Sequence, residues 1–184
     1  MPTTIVGGRG GPSPQSFQKA MVFIDGTNLF YRLEAESLRV SSLQGFISPY
    51  VGGRQLARAY LYTVQQHLDK AQKIHGERFC DGIRVVLGEG VPKKDGNIKE
   101  KGVDALLVAD MIYHAASRNC EYALVVTVDT DFFYVLRRVE DFGCRTGLLS
   151  VCCRAPAKLV GACDDYHQVN ATQLIAQKIA AKAP

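Results

Sequence analysis

Short apolar runs that alternate with stretches of helical periodicity constrain this chain most. Such alternation marks βαβ units on a parallel sheet. The runs span residues 21–24, 59–64, 83–87, 124–128 and 146–151. They are mostly apolar at successive positions, as strands covered by helices on both faces must be. Helical patterns fall at 27–38, 65–74, 103–117, 132–141 and 171–182. The stretch 103–117 is the most regular, with Val103, Leu107, Val108 and Met111 forming an inward stripe. The segment 132–141 stops ahead of Gly143, a residue suited to ending a helix. Segments 41–53 and 89–102 fit neither period and read as loops, the second rich in Gly, Pro and Lys. The expected class is α/β with a parallel sheet.

At 184 residues and 47% hydrophobic content, the chain has the size of one domain that buries its core without staples. The Gly/Pro-rich start lacks the apolar stretch of a signal peptide, so residues 1–18 read as a disordered tail and 19–184 as a single domain. Apolar runs reach only about five residues, which excludes a membrane span. Six cysteines (Cys80, Cys120, Cys144, Cys152, Cys153 and Cys163) show no C-x-x-C spacing and are expected reduced and buried in a cytoplasmic protein. With 22 Lys and Arg against 18 Asp and Glu, the net charge of +4 permits an anionic partner without demanding one.

Ligands of open α/β sheets bind at the carboxyl ends of the strands, so residues that end strands carry the chemical information. The first strand ends in Asp25 (VFIDGTNLF) and the fourth in Asp129 and Asp131 (LVVTVDTDFF). Asp104 opens the most periodic helix, on the face of Leu107, Val108 and Met111. Gathered carboxylates repel one another and need protons or a cation in compensation. Oxygen donors on rigid elements suit Mg²⁺ or Mn²⁺ rather than zinc. Such an ion activates a water for attack on a phosphodiester, so metal-assisted phosphodiester hydrolysis is the reaction this pattern points to.

Each acid also has a plainer reading. An Asp after a strand serves as a turn residue or helix cap, and Asp131 is placed to cap a helix beginning at Phe132. Asn28 is equally able to cap or turn the chain after Gly26. Asp110, six residues past Asp104, is rotated about 120° from it and can pair with His114 one turn on. The coincidence of two strand ends and one helix face favours a site. Directly before Asp104, residues 93–101 hold Lys93, Lys94, Lys99 and Lys101 against Asp95 and Glu100, a local net of +2. A basic loop beside an acidic site suits a polyanion, although a solvated loop without a role explains it as well. Tyr31, Phe46 and Tyr50 are able to stack bases but also fit ordinary packing.

Three motifs in register, VFIDGTNLF at 22–30, KGVDALLVADM at 101–111 and TVDTDFFYVLRRVEDFG at 127–143, resemble the NYN domain of the PIN-like nuclease superfamily in its LabA-like branch. Leu159, Cys163, Asp164 and Tyr166 echo a fourth motif, and the resemblance spans about residues 20–170. It implies a Rossmann-like three-layer α/β/α sandwich on a mostly parallel sheet of five or six strands, with Mg²⁺- or Mn²⁺-dependent ribonuclease activity. Asp25, Asp104, Asp129 and Asp131 match the family's metal-binding acids, and Asn28 matches its motif asparagine, which orients a ligand or water. Asp110 matches a further acid in a supporting role, and Thr127 keeps a hydroxyl where the family has serine. Val128 replaces the family glycine, which bears on access to the site and on the position of Asp129. The partner implied is RNA, single-stranded or structured, with homodimerisation left open.

Other classes lack their residues. Asp25-Gly26-Thr27 resembles part of the haloacid dehalogenase motif D-x-D-G-T, but Phe23 stands where its nucleophilic Asp belongs. Neither G-x-G-x-x-G nor a Walker A loop follows the first strand. The rival of a different class is a non-catalytic RNA-binding or regulatory adaptor on the same fold.

Overall fold

The computed structural model describes residues 18–183 except 95 and 97. Chain order runs β1 (Lys19–Asp25), α1 (Gly26–Ala35), β2 (Leu38–Val40), α2 (Leu43–Ile47), β3 (Gln55–Thr63) and α3 (Gln65–His75). There follow β4 (Arg84–Leu87), β5 (Glu89–Pro92), β6 (Ile98–Lys101), α4 (Val103–Ala116), β7 (Tyr122–Val126) and α5 (Phe133–Asp141). The chain closes with β8 (Arg145–Val151), α6 (Ala157–Val160), β9 (Asp165–Val169), α7 (Ala171–Ala176) and β10 (Ala180–Lys182). Apart from Gln18, the tail expected over 1–18 lies outside the described residues.

Six strands form one sheet in the order β4-β3-β1-β7-β8-β9, every adjacent pair parallel. From β1 the chain moves outward to β3, and from β7 it moves the other way to β8. Strand order therefore reverses between β1 and β7, and the crevice above their carboxyl ends is where such a sheet takes a ligand.

Pleat alternation in β1 assigns its side chains to two layers. Ala20, Val22 and Ile24 pack with Leu29 and Leu33 of α1 and with Leu68 and Ala71 of α3. Met21 and Phe23 pack with Val103, Leu107 and Met111 of α4 and with Val135, Leu136 and Val139 of α5. Each large side chain so buried contributes roughly 1.5–3 kcal/mol. The same period of two puts Asp25 on the Met21–Phe23 side, toward α4, and puts Thr127 on the side of Val125. Gly26 follows because α1 starts against β3: a Cβ there would meet the Tyr62 carbonyl oxygen at 2.6 Å.

Several sequence expectations change. Segment 41–53 is not an open loop: Ser42 caps α2, a 3₁₀ turn (Ser48–Val51) follows, and Leu43, Phe46, Ile47 and Val51 are buried. Segment 89–102 is an antiparallel hairpin of β5 and β6. The helix expected over 27–38 ends at Ala35, and Leu38 enters β2. The helix expected over 171–182 stops at Ala176, Lys178 turns into the left-handed region (φ 58°), and β10 then pairs with β2. Strand β9 had no counterpart in the sequence reading. The cysteines are free thiols, with Cys120 and Cys144 buried and the other four half-buried.

Candidate functional site

Asp25 ends β1 and caps α1, its Oδ1 accepting the Asn28 backbone N–H at 3.0 Å. Its Oδ2 accepts the Thr127 hydroxyl at 2.8 Å. That neighbour is set by register: Ile24 pairs with Val126, so the next residues of β1 and of the chain beyond β7 lie side by side. Asp25 is 6% exposed. Burial pushes its pKa up to about 6, and the charges of Asp104 and Asp129 add to the rise, while the bonds from Asn28 and Thr127 oppose it.

The remaining acids form an exposed rim. Asp129 Oδ1 accepts the Asp131 backbone N–H at 2.9 Å and starts a 3₁₀ turn (Thr130–Phe132). The capping residue is thus Asp129, where the sequence suggested Asp131. Asp104 sits in the first turn of α4, a position that a helix N-terminus favours for an anion. Expected on the inward stripe, Asp104 is exposed instead; Val103, Leu107, Met111 and Ala115 are the buried face. Although Asp104 is exposed, partial desolvation of its carboxyl raises its pKa, with the charges of Asp129, Glu100 and Asp131 adding to the effect. Asp25, Asp104, Asp129 and Asp131 therefore share one electrostatic neighbourhood. Asn28 contributes through its backbone. Val128 is half-buried against the α4–α5 side of the core.

Asp110 does not join this group. Its Oδ2 accepts the Tyr62 hydroxyl at 2.9 Å, and burial beside that carboxylate raises the phenol's pKa. The pairing with His114 is replaced: the His114 ring sits 2.8 Å from the Tyr60 hydroxyl and 3.0 Å from the Asn119 amide. Tyr62 is the register partner of Asp25 on β3, so this tyrosine joins Asp110 to the strand end that carries the site.

Glu100, counted from the sequence only as a loop charge, and His67, which the sequence did not single out, belong here. Glu100 accepts the Thr27 hydroxyl at 2.5 Å and the His67 Nδ1–H at 2.8 Å, linking β6 to the first turns of α1 and α3. Its charge also acts on Asp104. The signal available was its alternation with Lys99 and Lys101, which has meaning only on a strand. Lys93, Lys94, Lys99 and Lys101 are all exposed on this hairpin.

Four neighbouring carboxylates, with the pKa of Asp25 and of Asp104 raised, are the donor chemistry that a hard divalent ion relieves. Among the described residues no three His, Cys, Asp or Glu side chains converge closely enough to enclose an ion. Mg²⁺ keeps several waters and binds through one or two carboxylates, so the set fits an ion held partly through its water shell. No helix among the described residues is long and apolar enough to cross a membrane.

Fold and site together define a parallel α/β protein with a group of acids at its switch point. The chain belongs to the NYN domain family, whose model matches residues 19–170, and that family lies within a nuclease superfamily. A solved structure of a protein of unknown function from Vibrio parahaemolyticus has the same fold, with a TM-score of 0.66 at 17% identity. The match covers 86% of this chain and 97% of that one. No curated protein matches the sequence.

Proposed function

We propose that this chain is a Mg²⁺- or Mn²⁺-dependent endoribonuclease that hydrolyses RNA phosphodiesters in the crevice between β1 and β7. The observation that carries the reading is Asp25, a buried carboxylate at the switch point whose charge is coupled to Asp104 and Asp129. Asp25, Asp104, Asp129 and Asp131 hold the ion, directly or through water. Asn28 and Thr127 orient Asp25 by their hydrogen bonds. Once bound, the ion lowers the pKa of a water and stabilises charge on the phosphoryl oxygens. Lys93, Lys94, Lys99 and Lys101 hold flanking phosphates, while Glu100 ties the hairpin to α1 and α3.

The test is labelled single-stranded RNA incubated with Mn²⁺, with EDTA as control and with Asp129→Asn alongside. Cleavage by the wild type with Mn²⁺ alone supports the reading; cleavage that survives both EDTA and the substitution overturns it. RNA binding without cleavage identifies the adaptor instead. Saturating Mn²⁺, at about 100 times its Kd, should stabilise the fold by roughly 2.7 kcal/mol. Lys99→Ala and Lys101→Ala should each lower the salt dependence of RNA binding by about one phosphate contact.

A further inference from the structure

Between α1 and α3, on the sheet face away from α4, lies a cavity of about 210 Å³. Phe30 and Ala71 are among its apolar walls, and Tyr31 lines it while remaining 65% exposed. Thr27 and His67, in the first turns of the two helices, line one end, and both bond the Glu100 carboxylate beside the acidic crevice. At the other end stands His75, which is kept neutral: burial lowers its pKa to about 4, and its Nδ1 accepts the Val40 N–H at 3.3 Å. Lys70 and Glu34 bridge the helices at 2.7 Å and cancel each other's charge.

These features select the ligand. A cavity with apolar walls, a neutral imidazole and a compensated ion pair offers no counter-charge to offset the desolvation of a phosphate, and accepts an uncharged ring. Its volume is below the roughly 300–1,000 Å³ of drug-sized sites, so it takes one ring system and not an extended molecule. An exposed tyrosine on the cavity is a stacking surface of the kind that holds unpaired bases. Glu100 bonds residues of the cavity's end and acts on Asp104, so a ring seated there adjoins the crevice where a phosphate would lie. We propose that the cavity is a base-binding subsite for one unpaired nucleobase next to the scissile phosphate. The proposal rests on the ribonuclease reading, and it makes single-stranded RNA the preferred substrate.

The test is fluorescence anisotropy of labelled single-stranded RNA in EDTA, which reads binding without cleavage. Wild type and Tyr31→Ala are each titrated with intact RNA and with a series carrying one abasic residue at successive positions. One abasic position should weaken wild-type binding roughly 5- to 150-fold, as loss of a stacked base does. Tyr31→Ala should weaken binding of intact RNA comparably and lose the response to that position. Tyr31 is exposed, so its removal spares the fold. If wild type binds RNA while neither Tyr31→Ala nor any abasic position changes affinity, the subsite falls and the nuclease reading stands. Failure of wild type to bind RNA in EDTA overturns the subsite whatever the cleavage assay gives, and absence of cleavage with Mn²⁺ then removes the nuclease reading too.

Discussion

Thr127 gives its hydroxyl hydrogen to Asp25 Oδ2 at 2.8 Å and accepts the backbone N–H of Asp129 at 3.1 Å. One hydroxyl, with one hydrogen and two lone pairs, thereby holds both strand-end acids in a common frame. Thr127→Val keeps the shape and removes both bonds. A hydrogen bond to a charged group contributes roughly 1.5–3 kcal/mol, so the Asp25 pKa should rise by about one to two pH units in the variant. Carboxyl carbon NMR titration reads this directly, and the acid limb of any cleavage profile should move up with it. An unmoved titration contradicts the bond's role.

The raised pKa of Asp25 also predicts how stability varies with pH. Folding lifts this carboxyl from 3.8 to about 6, so the folded chain holds its proton more tightly than the unfolded chain. The stability contributed is complete below pH 3.8 and is lost as pH rises through 6. Its full size is roughly 3 kcal/mol. In metal-free buffer Asp25→Asn should therefore raise Tm by several degrees at pH 8 and change it little near pH 3.5. Thermal denaturation at the two pH values checks the sign; a variant less stable at pH 8 would refute it.

Asp129 combines a capping bond with a charge, and two substitutions separate them. Asp129→Asn keeps an oxygen for the Asp131 N–H, so its Tm should stay close to wild type. Asp129→Ala removes the cap and should cost roughly 0.5–2 kcal/mol. Both should abolish Mn²⁺-dependent cleavage. Cleavage retained by Asp129→Asn would remove Asp129 from the site.

Gly26 and Gly45 provide a paired test of packing against propensity. A Cβ on Gly26 would stand 2.6 Å from the Tyr62 carbonyl oxygen, and backbone does not yield readily. Gly26→Ala should destabilise by roughly 1–3 kcal/mol. At Gly45, in α2, the nearest atoms to a Cβ are those of Ser42 at 3.6 Å, an ordinary contact. Gly45→Ala should stabilise by roughly 0.5–1 kcal/mol. Chemical denaturation of both variants decides.

How much was legible in the sequence follows from how strongly each element is buried. β1 and β7 are apolar on both faces and covered by helices, so their runs announce central strands and their terminal acids announce the crevice. β9 (DYHQV) is an edge strand with one buried residue, Val169, and offers no such run. In 171–182 the Ala-rich composition suits a helix throughout. Tertiary pairing with β2 overrides it after Ala176, where Lys178 takes a positive φ that breaks the period.

Within the site, Asp25, Asp104, Asp129 and Asp131 could be named because each ends or opens a periodic element. Their depths could not, since the apparent inward position of Asp104 ignored its place in the first turn of α4. The pairing of Glu100 with His67 was hidden for a different reason. Their contact spans 33 residues and depends on a hairpin whose strands are too short and polar to leave an apolar signature.

Strand β6 carries two opposed chemistries at single-residue spacing. Ile98 and Glu100 turn toward the body of the protein, while Lys99 and Lys101 face solvent. A slip of one residue against β5 would exchange the sets, presenting lysines to the acids and carboxylate to an incoming polyanion. Attraction and repulsion at this rim are thus a matter of phase: the same four side chains, displaced by one step, would turn a docking edge into a barrier.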